Sequence, residues 1–245
     1  MSRRWFGAVL GVMVAASLVV MPLEEAQAMD LDLEVGARVG PSWNLLSQPR
    51  DRAGEWTLLH GSAFSGVGIV LGPEVSLGVT EVADARVQVT GNLLYGFHRG
   101  SGFEEHGDGS RIDLHIHAHV LRLPVLVQVR PVEGEFAPVV GLGVEPTIGL
   151  VSGATVEQQG MTTPPQPLET RPSSGMNLAG TLGVNWDRQN MVIPVELRFA
   201  WNPFVPNTTV DRFDDFQSPD DPGNYGVAFN WQVLLTVGIR YYLGN

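Results

Sequence analysis

The sequence predicts an all-β protein: an eight-stranded antiparallel up-and-down transmembrane β-barrel, with short turns at one end and long loops at the other. Three observations predict it. Apolar and polar residues alternate at every second position through most of the chain after residue 30, the period of a strand with two unlike faces. Eight such segments are present, each about ten residues or longer, enough to cross a bilayer when tilted. The connections alternate strictly between short and long, as in barrels whose tight turns share one side of a membrane.

The start of the chain stands outside this pattern. Arg3 and Arg4, the run "GAVLGVMVAASLVVM" and Ala26-Gln27-Ala28 supply the positive start, apolar stretch and small-residue cleavage site of a secretory signal peptide over residues 1–28, with cleavage after Ala28. "SRRWF" also resembles a twin-arginine signal for export of a folded protein, but no cofactor-binding pattern follows that would require it. The apolar run is shorter than the roughly 20 residues of a spanning helix. Residues 29–245 then read as a single barrel domain.

The first strand, "LDLEVGARVG" (31–40), sets Leu33, Val35, Ala37 and Val39 against Asp32, Glu34 and Arg38. The second (67–80) sets Val67, Ile69, Leu71, Val75 and Leu77 against Glu74 and Ser76. In the third (85–97), Val87, Val89, Leu93, Tyr95 and Phe97 oppose Arg86, Gln88, Thr90 and Asn92. The fourth, "RIDLHIHAHVLRLPVLVQVR" (111–130), begins with Ile112, Leu114, Ile116, Ala118 and Val120 opposed to Asp113, His115, His117 and His119. After Val120 its apolar phase moves to Leu121, Leu123, Val125, Val127 and Val129. Such a slip predicts a β-bulge near 120–122, beside Pro124, with the histidines facing inward near the outer mouth. The fifth strand opposes Val140, Leu142 and Val144 to Gly141, Gly143 and Glu145, and the sixth Leu178, Leu182 and Val184 to Asn177, Thr181 and Asn185. The seventh opposes Val195, Leu197 and Phe199 to Glu196 and Arg198, and the last Leu235, Val237 and Ile239 to Gln232, Thr236 and Arg240. Residues 81–84, 131–135 and 187–190 are tight turns; 42–64, 98–111, 152–175 and 202–226 are long and polar.

Charge excludes some partners. The chain carries a net −11, unchanged when the leader's Arg3, Arg4, Glu24 and Glu25 are set aside, which argues against nucleic acid. Its basic residues are all Arg, and the absence of Cys removes disulfides, thiolate metal sites and a Cys nucleophile.

The polar faces hold charges of both signs on different strands: Asp32, Glu34, Glu74, Glu145 and Glu196 against Arg38, Arg86, Arg122, Arg198 and Arg240. They meet only if that face closes around a narrow interior, and eight strands leave one just wide enough for side chains. Charges withdrawn from water must pair. The expectation is therefore a structural ion-pair network of Glu34, Arg38, Glu74, Arg86, Arg122, Glu145, Glu196, Arg198 and Arg240 that occludes the lumen. The plainer alternative is the solvated faces of a β-sandwich. Aromatic residues favour lipid, since Trp43, Tyr95, Phe97, Trp201 and Phe204 lie near the long-loop ends and Phe136, Trp186, Tyr241 and Tyr242 near the turns, with Trp231 and Phe229 left at mid-strand.

Three segments, "LRLPVLVQV", "FAPVVGLGVEPTIGL" and the closing "VLLTVGIRYYLGN", make the chain resemble small outer-membrane β-barrels of the porin-like superfamily, the OmpA, OmpX and OmpW group. Closing strands of that group usually finish on an aromatic residue, whereas this chain continues past Tyr242 to Asn245. The resemblance implies an outer-membrane location among outer-membrane lipid and delivery by the barrel-insertion machinery through the C-terminal strand. The leading expectation is a non-enzymatic protein serving envelope structure or surface interaction through its external loops, with the question of an external ligand left open. A narrow pore or carrier for small apolar solutes is the alternative, and an outer-membrane enzyme with a rim site a third.

Other chemistry is sparse. His115, His117 and His119 alternate on one strand face and so could chelate zinc, although three imidazoles over five residues reach one ion only with distortion. Histidines hydrogen-bonding within the lumen are the competing reading. "GVGIVLG" and "GLGVEP" lack the following helix that a phosphate site needs. The acidic segment 210–224 lacks EF-hand spacing, and no Gly-x-Ser-x-Gly elbow is present. No cofactor is expected.

Overall fold

The computed structural model describes residues 32–46, 65–82, 85–105, 111–131, 134–159, 166–168, 170–172, 174–203, 225–227 and 229–243. The expected signal peptide, the acidic segment 210–224 and Phe204 lie outside them.

Alternating faces and β-branched residues make the described chain almost wholly strand. The strands are β1 (Leu33–Leu46), β2 (Ser65–Val82), β3 (Ala85–Asn92), β4 (Leu94–Glu105), β5 (Arg111–Arg122), β6 (Val125–Arg130) and β7 (Phe136–Gln159). After them come β8 (Gln166–Leu168), β9 (Thr170–Pro172), β10 (Gly175–Arg188), β11 (Met191–Trp201), β12 (Tyr225–Val227) and β13 (Phe229–Tyr242). β3 and β4 form one wall strand interrupted at Leu93, and β5 and β6 another interrupted at Leu123 and Pro124. The antiparallel ring therefore runs β1, β2, β3/β4, β5/β6, β7, β10, β11, β13 and back to β1, giving eight walls. Closure runs from Glu34↔Tyr242 to Leu46↔Phe229 and leaves no exposed sheet edge in the ring. β8 pairs with the end of β7, and β9 and β12 make a short parallel pair.

Proline shapes the interruptions because it accepts hydrogen bonds but cannot donate them. The Pro124 carbonyl accepts from Asn92 N (3.0 Å), Pro73 from Leu93 N (3.1 Å) and Pro146 from Leu123 N (2.9 Å), which carries the ladder across both breaks. In the turn before β7, Gly134 has φ 152°, a conformation nearly reserved for glycine.

Three expectations are corrected here. First, the fourth strand does not slip phase. Ile116, Ala118, Val120, Arg122, Leu126, Gln128 and Arg130 are all buried, so even-numbered residues face inward throughout, and His115 and His117 face outward. The expected bulge exists but belongs to the facing strand: His119 pairs with Val151 and Val120 with Gly149, which leaves Leu150 extra on β7 and the phase of β5 intact. Second, β1, β4 and β7 run on to Leu46, Glu105 and Gln159, well into segments read as loops. Third, Trp231 is no mid-strand residue; it is third in β13 and pairs with Trp201, the last residue of β11.

Candidate functional site

The interior is built by residues of one parity on each wall. Arg38 stands at its centre, 2% exposed. Its Nε and Nη2 donate to Glu74 Oε2 (2.7 Å) and Oε1 (2.5 Å), while Nη1 and Nη2 donate to Glu196 Oε2 (2.5 Å) and Oε1 (3.1 Å). Two carboxylates thus use both edges of one guanidinium, the strongest geometry such a pair offers. Glu196 also accepts from Gln128 Nε2 (3.0 Å), on a wall three places round the ring. Gln128 Oε1 in turn accepts from Gln88 Nε2 (2.7 Å) and Thr90 Oγ1 (2.9 Å), and the Thr90 and Ser76 hydroxyls lie 3.2 Å apart. Since Ser76 and Glu74 both belong to β2, the contacts form a closed circuit through β2, β1, β11, β6 and β3.

Above and below it the charges continue. Glu145 accepts from Arg122 Nε (2.8 Å) and Asn177 Nδ2 (3.1 Å). Arg198 lies 3.6 Å from Glu145 and 3.7 Å from Glu196, linking that group to the circuit. Arg240 stands 3.3 Å from Glu34 and 3.5 Å from Glu74; Arg86 contacts Asp32 at 2.9 Å and Glu34 at 3.6 Å. Arg130 pairs with Asp187 near the short-turn end. Arg122, Arg198, Arg240 and Glu145 are 0% exposed. Toward the other mouth the lining becomes Val70, Leu94, Ile116, Ala118 and Val120, with Ser42 Oγ 3.1 Å from His98 Nδ1 and Gln232 donating to Asn44 (2.8 Å).

All nine expected charged residues meet in this interior. Arg130, Asp187, Gln88, Gln128 and His98 join them. Arg130 carried a usable signal, since it shares parity with Arg122, whereas Asp187 reads from sequence as part of a tight turn. The three expected zinc ligands do not point into the lumen, and among the described residues no group of three His, Asp or Glu side chains is arranged to hold an ion.

The exterior is the reverse. Leu142 is 75% exposed, Trp43 64%, Phe136 62% and Val67 60%, in one band with Leu71, Val125, Leu182 and Val237. Soluble proteins rarely leave apolar patches beyond a few hundred Å² in water. Aromatics edge the band, with Phe136 stacked on Trp186 (5.9 Å) at the turn end and Trp201 on Trp231 (5.6 Å) at the other. Along β13 the two edges, Tyr241 and Trp231, are ten residues apart, and ten tilted residues rise about 25 Å, the height of a barrel's lipid-facing band. The chain is a transmembrane β-barrel.

Three solved structures are similar to it. Neisserial surface protein A is 12% identical, with 88% of this chain and 99% of that one covered and a TM-score of 0.34. Ail, the attachment invasion locus protein of Yersinia pestis, solved with the heparin analogue sucrose octasulfate, is 12% identical, with 86% and 99% covered and a TM-score of 0.33. The outer membrane protein OprG from Pseudomonas aeruginosa is 12% identical, with 88% and 96% covered and a TM-score of 0.37. Likeness at this level says nothing of what the barrel binds. No family model matches the chain, and no curated protein does.

Proposed function

We propose that the barrel is an exported, non-enzymatic outer-membrane protein whose lumen is plugged, and that it serves envelope structure or surface interaction through its external loops. The closed circuit through Arg38, Glu196 and Gln128 carries this reading, because it crosses the bore with side chains almost wholly shielded from solvent. Open porins leave an aqueous channel, which takes twice as many strands; here charged groups from facing walls fill the bore instead, hydrogen-bonded about Arg38 and Glu145 and within 3.3–3.7 Å of opposite charge at Arg198 and Arg240. The signal peptide ending at Ala28 and insertion through the closing strand β13 belong to the same proposal.

Single-channel recording in planar bilayers tests it. The wild-type barrel is expected to insert without steady open currents, while a variant with Gly at positions 38, 128 and 196 conducts. Steady wild-type currents would overturn the plug and favour a narrow pore.

A further inference from the structure

The outward surface of β4, β5 and β7 changes character abruptly. It is apolar up to Phe97 and Leu121, and then the register places His119 beside Phe97 and Val151, His117 beside Arg99 and Gly153, and His115 beside Ser101 and Thr155. Arg99, His115 and His117 are exposed. Neighbours on the same outer surface hold Arg99 and His117. The Tyr95 hydroxyl is hydrogen-bonded to His119 Nδ1, and the His119 ring packs 4.9 Å from Phe97 and 6.3 Å from His117, edge to face. The Arg99 guanidinium sits 5.2 Å over the Phe97 ring. The His117 ring lies across Gly153, where a Cβ would collide with it, so glycine there makes its seat. A guanidinium and a row of imidazoles thus stand ready on the outside of the wall, one or two rungs past the apolar band.

That depth is where headgroups replace acyl chains. A guanidinium matches a phosphate with two parallel N–H donors, and each imidazole adds another. Among the described residues the carboxylates of this outer surface lie farther out: Asp113 is occupied by Arg111 Nε (2.9 Å) and Nη2 (2.7 Å), and Glu157 is the register partner of Asp113. We infer that Arg99, His115 and His117 form a seat on the outer wall for the phosphate of an outer-leaflet lipid headgroup. The inference rests on the outer-membrane placement proposed above.

The test reconstitutes the full barrel in phosphatidylcholine nanodiscs doped with a bis-phosphorylated glycolipid or its dephosphorylated counterpart, and reads retained lipid by native mass spectrometry. Wild type is expected to retain the phosphorylated form roughly tenfold better, and the triple variant R99Q/H115Q/H117Q to lose that preference. All three positions face outward, so heat-modifiable migration should show the variant still closed; should it fail to close, Arg99→Gln alone is held to the same standard. Equal retention of both lipids by wild type, or undiminished preference in the variant, overturns the seat alone. A wild-type barrel that does not enter nanodiscs overturns the membrane placement, and the seat with it.

Discussion

The two halves of one wall strand, β5 and β6, obey opposite rules with the same inward parity. In β6 the inward residues include Gln128 and Arg130 and the outward ones are Val125, Val127 and Val129. In the outer half of β5 the inward residues are Ile116, Ala118 and Val120 and the outward ones His115, His117 and His119. Apolar-in is the rule of a barrel in water, and apolar-out that of a barrel in lipid. The strand passes from one solvent to the other near Leu121, and its side chains invert while its backbone does not.

This difference can be attacked from both sides, beginning with the interior charge on which the lipid half depends. Arg38→Ala leaves Glu74 and Glu196 buried without their shared cation, and is expected to cost about 3–5 kcal/mol in urea unfolding from vesicles, followed by Trp fluorescence. The double change of Arg38 and Glu196 to Met, which removes one charge of each sign and leaves Glu74 beside Arg240 and Arg198 beside Glu145, should recover much of it. One new charge placed at two heights then compares the halves directly. Val127→Arg should destabilise by about 2–4 kcal/mol in that assay, against no more than about 0.5 kcal/mol for His117→Arg. Equal costs would erase the boundary. At the turn-side edge of the band, Phe136→Ala should cost more than a single exposed valine because it loses the Trp186 stack, about 0.5–1.5 kcal/mol beyond area. The smallest effect is expected at His115→Gln, within about 0.5 kcal/mol.

The sequence made the lipid half legible and misread the water half for one physical reason. Alternation records that two faces meet unlike surroundings, not which face is which. Where outward Val125 and Val127 meet lipid, inward Arg122 and Gln128 must pair, and parity alone was enough to gather nine charged residues from seven strands. At His115 to His119 the same alternation continues with the solvents exchanged, so an unbroken strand mimics a phase slip. Beyond the membrane neither face of "HRGSGFEE" or "GATVEQQ" is uniformly apolar, and strands there read as loops although β4 and β7 continue through them. The Pro73, Pro124 and Pro146 carbonyls that bridge the interruptions leave no mark in a hydropathy pattern.

The chain has no Cys, so single cysteines can carry an environment-sensitive label without background. Labels at positions 115, 117, 121, 125 and 127 in vesicles, challenged in turn with a lipid-borne and a water-soluble quencher, test the solvent boundary most directly. The account predicts lipid quenching at 121, 125 and 127 and aqueous quenching at 115 and 117. Aqueous quenching at all five, with none from lipid, would contradict it.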